Sequence, residues 1–497
     1  MLPESHPQEK KAGLAHWASR VVEECDKASQ GFAADPVHDL RVAIRRCRSM
    51  ADGFLSVDPD PAWKQMKRVA KPLFSSLGDL RDTQVMAEWV TKLSEPDDAV
   101  RQSLLASLAD RETHLKAAAQ HALQQFDRHD WVSLNAHLAN RTASVPLEGA
   151  VFQLLALERW SEAYERHRQA MRNRSQVGYH QLRIGIKRFR YTVENFLPRL
   201  HEKWCKDLRD LQDALGEVHD FDVLRAMLRA HAGIHAEERL RWNTRISQER
   251  QRRLDVYRRK MLGKNSLWQV WRSDLPSGSE LERATLEKLK NWAFFLDPNP
   301  AHSALVTQIA LELFDGLSQC GAVSAQPEYR RILEAAASLH EVGRCKPGNG
   351  HQKRSYRLIS RLKPPLGWTA EQLHCVAATA RYHRGALPQI SDSYFVGLSA
   401  RRRSKLLPVI GMLRLADACA GDPDRTITRV SVERLDGALV VYAQGLQEIS
   451  PGAERIARAR YLLETTCRLP IAVRPPPTDA LATSPPAPGK RRPARVS

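Results

Sequence analysis

Apolar positions at helical spacing run through most of this chain, and the polar residues between them are sorted by charge. Over 38–51, Leu40, Ile44, Cys47 and Ala51 fall on one side of a helix, and His38, Arg41, Arg45 and Arg48 stack on the other at spacings of 3, 4 and 3. The arrangement returns 142 residues later, with Leu182, Ile186, Phe189 and Val193 opposite His180, Arg183, Lys187 and Arg190. Each copy is followed by a second shared piece, Leu77-Gly78-Asp79-Leu80-Arg81-Asp82 in the first and Leu215-Gly216-Glu217-Val218-His219-Asp220 in the second. Repetition over this distance predicts two pseudo-symmetric helical subdomains within residues 1–262.

Further along, residues 263–280 interrupt the pattern with Gly, Pro and Ser and read as a linker. Helical spacing resumes at about 281 and continues to about 472. Within that module, RVSVERL and ALVVYAQ alternate with period two around Asp436-Gly437 and predict a β-hairpin, followed by a last helix in GAERIARARYLLETTC. Residues 473–497 are Pro-rich, end basic, and read as a disordered tail.

Charge changes the picture more than composition does. Lys and Arg number 76 against 57 acidic residues, a net charge of +19 that draws polyanions without choosing among them. On a helix, positions three and four apart normally pair opposite charges, whereas both stripes set cation beside cation. Such a face is either a solvated surface or an anion site. Its recurrence in the same register, backed each time by an apolar stripe, favours the anion site. Two stripes facing one groove would hold a long phosphate chain through charge-assisted Arg contacts. His38 and His180 can equally orient the first helical turn. The eight cysteines show no CxxC pair, the N-terminus has no signal-peptide core, and no apolar run approaches the ~20 residues of a membrane span. The expectation is a cytoplasmic, disulfide-free protein without a membrane partner.

The two H-x-L-R-[VI] helices, each with its L-G-x-x-x-D piece, resemble the histidine-containing helical CHAD domains across residues 1–262. The resemblance implies two packed four-helix bundles with polyphosphate bound in a basic cleft between them. Matched motif by motif, the binding residues are His38, Arg41, Arg45, Arg48, His180, Arg183, Lys187 and Arg190. Two positions depart between copies: His219 stands where the first has Arg81, and Gln181 where it has Asp39. The E-x-E-x-K strand of a triphosphate-tunnel domain is missing.

In the second module, His302, His340, Glu341 and Asp417 are of metal-ligand type, and Tyr382-His383-Arg384 adds another imidazole. On the residues alone, His340 and His383 are better explained as structural histidines. The stretches Leu339-His340-Glu341-Val342-Gly343 and Arg381-Tyr382-His383-Arg384, with the turn at Gly367-Trp368-Thr369, resemble the C-terminal domain of the exopolyphosphatase/guanosine pentaphosphatase family. That domain is similar to the HD phosphohydrolase fold, whose pattern is H…HD…D. The resemblance implies an HD-like helical domain over 281–472 holding a divalent metal (Mg, Mn or Zn) on His302, His340, Glu341 and Asp417. Glu341 replaces the usual aspartate. The family's H-K-H-S segment is Gln352-Lys353-Arg354-Ser355, with His351 one place earlier, which leaves imidazole ligands missing from that segment. The actin-like catalytic domains of exopolyphosphatases are absent from the chain.

The fold expected is therefore mainly α, two pseudo-symmetric four-helix bundles followed by an HD-like domain with a small terminal hairpin. The function expected is binding of inorganic polyphosphate, with polyphosphate granules as a location. The alternative is a metal-dependent HD-type phosphohydrolase acting on polyphosphate or a phosphorylated nucleotide, its catalytic residues unassigned. A nucleic-acid binder is disfavoured, because the stripes lack interleaved aromatics and Gly263-Lys264 lacks the rest of a phosphate loop.

Overall fold

A computed structural model describes residues 13–389, 391–421, 427–447 and 451–477. Among them the protein is predominantly helical, with one small sheet close to the C-terminal end. Two compact units divide between Asn291 and Trp292.

In the first unit, α1 (Leu14–Ala28), α2 (Ala34–Phe54), α3 (Ala62–Val69), α4 (Lys71–Lys92) and α5 (Ala99–Gln124) make one half, with α6 (Arg128–Thr142) packed on α1 and α3. The second half is α7 (Ala150–Asn173), α8 (Gln176–Phe196), α9 (Pro198–Ala230) and α10 (Ala236–Met261). Chain order matches α2 with α8 and α5 with α10, while the single helix α9 stands where the first half has α3 and α4. The break between α3 and α4 has a local cause: Pro72, in the first turn of α4, has no amide proton to continue α3 and its ring crowds the carbonyl four residues back.

The apolar stripes behave as their spacing predicts. Leu40, Ile44, Cys47 and Ala51 of α2, and Leu182, Ile186, Phe189 and Val193 of α8, are all fully buried. The halves join on two sides. Met86, Val90, Val100, Leu104 and Leu108 from the first share a core with Phe221, Leu224, Leu228, Trp242 and Ile246 from the second. The C-terminal ends of α2 and α8 meet separately, where Phe54 and Phe196 lie edge to face at 5.5 Å and Asn195 Nδ2 donates to Ser49 Oγ at 3.2 Å. This double attachment fixes the two stripe helices against each other.

The stretch expected to link the modules is instead folded. Residues 267–273 form α11 (Leu267–Ser273), whose Trp268 and Trp271 are buried within the first unit. Trp268 packs on Trp160, Tyr164 and His167 of α7, and Trp271 on Phe189 and Trp204. Its Gly, Pro and Ser residues mark turns around a tryptophan anchor rather than a free connection. Helix α12 (Gly278–Phe294) follows.

The second unit contains α13 (Pro300–Gln319), α14 (Pro327–Leu339), α15 (His351–Ile359), α16 (Ala370–Arg381) and α17 (Ala400–Ala420). Thr369 and Gln372 form a reciprocal capping box that starts α16 directly after the Gly367 turn. Strands β1 (Arg429–Leu435) and β2 (Ala438–Gln444) are the expected hairpin, paired Leu435 to Ala438, with Asp436 and Gly437 both at positive φ as a tight two-residue turn requires. The last helical segment is two short helices, α18 (Pro451–Ala459) and α19 (Tyr461–Cys467). A third strand, β3 (Ile471–Arg474), pairs in parallel with β2 and takes up the first residues of the expected tail, whose remainder from 478 lies outside the described residues. All eight cysteines are free thiols. Among the described residues no helix is long and apolar enough to cross a membrane.

Candidate functional sites

The cationic faces of α2 and α8 are brought together. Arg45 donates from its guanidinium to the Tyr191 hydroxyl of α8 at 3.1 Å, and Arg46 donates to Asn195 Oδ1 at 3.2 Å and pairs with Glu194. Both contacts cross from one repeat to the other. His38, Val42, Arg45 and Arg46 of α2 line a recess of about 160 Å³ together with Arg190 and Tyr191 of α8 and Gln212 of α9.

The charges confirm that the stripes share a field. Burial, followed by the proximity of Arg183, Arg45 and Arg41, drives the Lys187 ammonium down to about 7, with Asp220 opposing. Arg41 is lowered to about 10 by burial and by Arg45. Arg183 is likewise lowered, chiefly by burial. Its Nε is buried without a hydrogen-bond partner, and so is the Nε of Arg190. Arg190 Nε faces Glu194 Oε2 at 3.7 Å, and the Arg183 donor is the one that could take up an anion.

The second repeated piece turns out to be part of this site. Asp79 and Asp82 of α4 act on Arg41, while Asp82 and Asp220 act on Arg183. Burial raises Asp220 to about 6, against the pull of Arg183 and a hydrogen bond from Trp89. The Gly78 of Leu-Gly-Asp has a steric reason: a methyl group there would lie 2.7 Å from an Arg41 guanidinium nitrogen. His180 and His219 face each other at 4.9 Å, and burial, Arg183 and His180 lower His219 to about 4. Its counterpart Arg81 acts on His38 in the first repeat. The repeat therefore conserves a position facing the histidine, not a residue type. Arg48 is set apart from the shared field; it donates to the Lys67 carbonyl at 2.7 Å and lies over the Phe74 ring at 5.1 Å.

Lys187 sets a pH dependence. Phosphate near its nitrogen favours the ammonium, so an anion bound above pH 7 should draw a proton onto it, and affinity should fall as pH rises from about 7. Calorimetry in two buffers of different ionisation heat should register proton uptake at pH 8, and Lys187→Arg should remove it.

The second unit gathers its ligand-type residues at helix ends. His302 stands in the first turn of α13, capped by Asn299. His340 and Glu341 follow α14, His351 opens α15, His383 follows α16, and Asp417 lies in the last turn of α17. The donor atoms of His302, His340, Glu341 and Asp417 all lie within 4.8 Å of one another. His302 Nε2 is 3.2 Å and His340 Nε2 3.6 Å from Asp417 Oδ1, and His340 Nε2 is 3.8 Å from Glu341 Oε1. His340 Nδ1 donates to the Ala337 carbonyl at 2.6 Å, which turns the bare Nε2 lone pair inward. His340 Nε2 and Glu341 Oε1 are buried without hydrogen-bond partners. Such orphaned acceptors fit a divalent cation, and the four residues could hold one. Burial opposes ionisation of Asp417, but hydrogen bonds from His302 and Arg384 hold its carboxyl well below the usual range. Arg384 makes two contacts to it, at 2.5 and 3.0 Å, and Arg344 pairs with Glu341.

His351 and His383 belong to this cluster as well. His351 Nε2 reaches Glu341 Oε1 at 3.2 Å, so the imidazole missing from the Gln352-Lys353-Arg354-Ser355 segment is supplied one residue earlier. Arg384 was also not legible as a site residue, although it adjoins His383 in the Tyr-His-Arg piece. Gly343 makes the approach of α15 feasible: its N–H donates to Ser355 Oγ at 2.9 Å and its carbonyl accepts from Arg354. A methyl at Gly343 would sit 2.1 Å from the His351 carbonyl oxygen. Because the obstacle is backbone, Gly343→Ala should push α15 away and destabilise the protein by at least about 3 kcal/mol, at the upper end of overpacking costs. Chemical denaturation checks this.

Comparison with known proteins finds a family match in each half of the chain. Residues 12–229 match the family model of the CHAD domain, and residues 283–438 match that of the Ppx/GppA phosphatase, domain III. The chain joins a CHAD domain to a Ppx/GppA domain III. The crystal structure of the CHAD domain from the plant Ricinus communis is similar at 22% identity, covering 50% of this chain and 89% of that one with a TM-score of 0.40. No curated protein matches the chain. The CHAD match contains both stripe helices and both L-G-x-x-x-D pieces, and the domain III match contains His302, His340, Glu341, His351, His383 and Asp417.

Proposed function

We propose that this protein binds inorganic polyphosphate along the paired stripes of its CHAD domain, with His38, Arg41, Arg45, His180, Arg183, Lys187 and Arg190 as the contacting groups; Arg48, held on the Lys67 carbonyl, stands apart from them. The observation that carries the reading is the position of Lys187, which lies in the field of Arg41 and Arg45 from the other repeat. Cations crowded this way repel one another until an anion enters. A flexible chain of phosphates can pass between helices that a rigid duplex cannot enter, and nothing in the site reads base edges. A role at polyphosphate granules follows from the same chemistry.

Titration of the full chain with polyphosphate at two salt concentrations tests the reading. Binding is expected at low salt and should weaken steeply as salt rises, since each phosphate contact releases counterions. Duplex DNA at equal phosphate concentration is expected to compete poorly. Absence of binding at low salt, or displacement by DNA, would sink the proposal.

A second reading is favoured by the convergence of His302, His340, Glu341 and Asp417. In it, domain III is a metal-dependent phosphohydrolase. A divalent ion held there would act as a Lewis acid toward a phosphoryl oxygen. The chain's own residues would hold that ion, keep His340 in the ligating tautomer through Ala337, and offer Arg344 and Arg384 to the phosphate's negative charge. A CHAD domain on the same chain would raise the local concentration of a polyphosphate substrate.

A further inference from the structure

A recess in the first unit lies between α7 and the tryptophan-bearing helix α11. Trp160, Tyr164 and His167 fall at i, i+4 and i+7 on one face of α7, and Trp268 and Arg272 of α11 line the same space. Its volume is about 460 Å³, within the range of small-molecule sites. The α11 wall comes from a segment outside both family matches, which cover 12–229 and 283–438.

The walls are aromatic and the polar groups are few. Trp160 and Tyr164 stack with ring centroids 5.1 Å apart, and Trp268 stands edge-on to both. His167 is 6% exposed, and burial lowers it to about 4, so its imidazole is neutral near pH 7 and carries one proton. Its Nδ1 lies 2.8 Å from the Tyr257 hydroxyl, which burial holds well above its ordinary value and so keeps protonated. The Trp268 indole N–H points at the Tyr257 oxygen, which leaves the hydroxyl hydrogen for His167 Nδ1. The imidazole proton therefore sits on Nε2. Among the described residues Nε2 has no hydrogen-bond partner, and its open side is on the recess that the ring lines. A donor held this way is satisfied by an acceptor inside the recess.

Arg272 adds charge. It donates to the Leu275 carbonyl at 3.1 Å and lies over the Trp160 ring at 6.0 Å, and among the described residues no carboxylate pairs with it. Aromatic walls suit a flat ring, the His167 donor suits an acceptor on that ring, and Arg272 suits an anionic substituent.

We propose that this recess binds a planar heteroaromatic ring carrying an anionic group, a nucleoside monophosphate, with the base accepting from His167 and the phosphate at Arg272. The site is separate from the cationic cleft, whose recess shares none of these residues.

The test titrates the full chain calorimetrically with each of the four ribonucleoside monophosphates. One site per chain is expected for at least one of them. His167→Phe keeps an aromatic ring and removes the donor, and affinity for that nucleotide should fall about tenfold. Arg272→Gln should bring the nucleotide down to the affinity of its nucleoside. Circular dichroism shows whether His167→Phe, which also takes the acceptor from Tyr257, remains folded; Arg272→Gln carries the test if it does not. Binding by none of the four, or affinity unchanged in Arg272→Gln, would overturn the site. Ribose 5-phosphate binding as tightly as the nucleotide would overturn recognition of the ring.

Discussion

Replacing Arg41 and Arg45 together by Ala is expected to reduce polyphosphate affinity by at least about 10²-fold, although every cation of the second repeat remains. A hydrogen bond to a charged partner contributes about 1.5–3 kcal/mol, and two such contacts are lost. Some of this is returned when the repulsion on Lys187 from both residues disappears. Arg183→Ala with Lys187→Ala should have a comparable effect. The contrast is with two independent sites, where each double variant would halve the stoichiometry and leave the remaining affinity intact. Arg41 also stacks over Phe74 at 5.1 Å and donates to its carbonyl. Circular dichroism must therefore show an intact fold before binding is compared; alanine itself favours the helix. Calorimetric stoichiometry decides between one groove and two.

Asp417→Asn is expected to abolish metal binding and to destabilise the second unit even without metal. The substitution removes the charge on which His302 and Arg384 converge. Losing one charge-assisted contact costs about 1.5–3 kcal/mol. For a unit of about 200 residues, that lowers the melting temperature by roughly 3–12 °C. The pH dependence has a definite sign. A carboxyl held well below its ordinary value contributes stability that is complete above the unfolded pKa of about 4 and is lost as pH falls toward the folded value. The difference between native and variant protein should thus shrink toward strong acid, as Asp417 takes up its proton. Unchanged metal content in a folded variant would remove Asp417 from the site.

Much of the molecule can be read from local pattern. The stripes on α2 and α8 follow from helical spacing alone, because i, i+3 and i+4 positions lie on one face whatever the tertiary context. The Asp436-Gly437 turn is similarly local, since few residues adopt positive φ twice in succession. Family motifs mark His302, His340, Glu341 and Asp417 before any coordinates are considered. The stretch 263–280 is anchored rather than free for a physical reason. Gly, Pro and Ser indicate where the backbone turns, but Trp268 and Trp271 decide whether the segment is anchored, and their partners lie on α7, α8 and α9.

What the sequence by itself determined is the pair of basic helices, their repetition, and the residue types available for a metal. Only the tertiary structure decided which charges act together. It set Asp82 and Asp220 against Arg183, put Lys187 between cations of both repeats, and brought His351 and His383 to one oxygen of Glu341. The reason lies in range. Helical periodicity is enforced by backbone hydrogen bonds between residues four apart, whereas a field or a ligand set depends on distances across packed helices, and those are fixed by burial of side chains far apart in the chain.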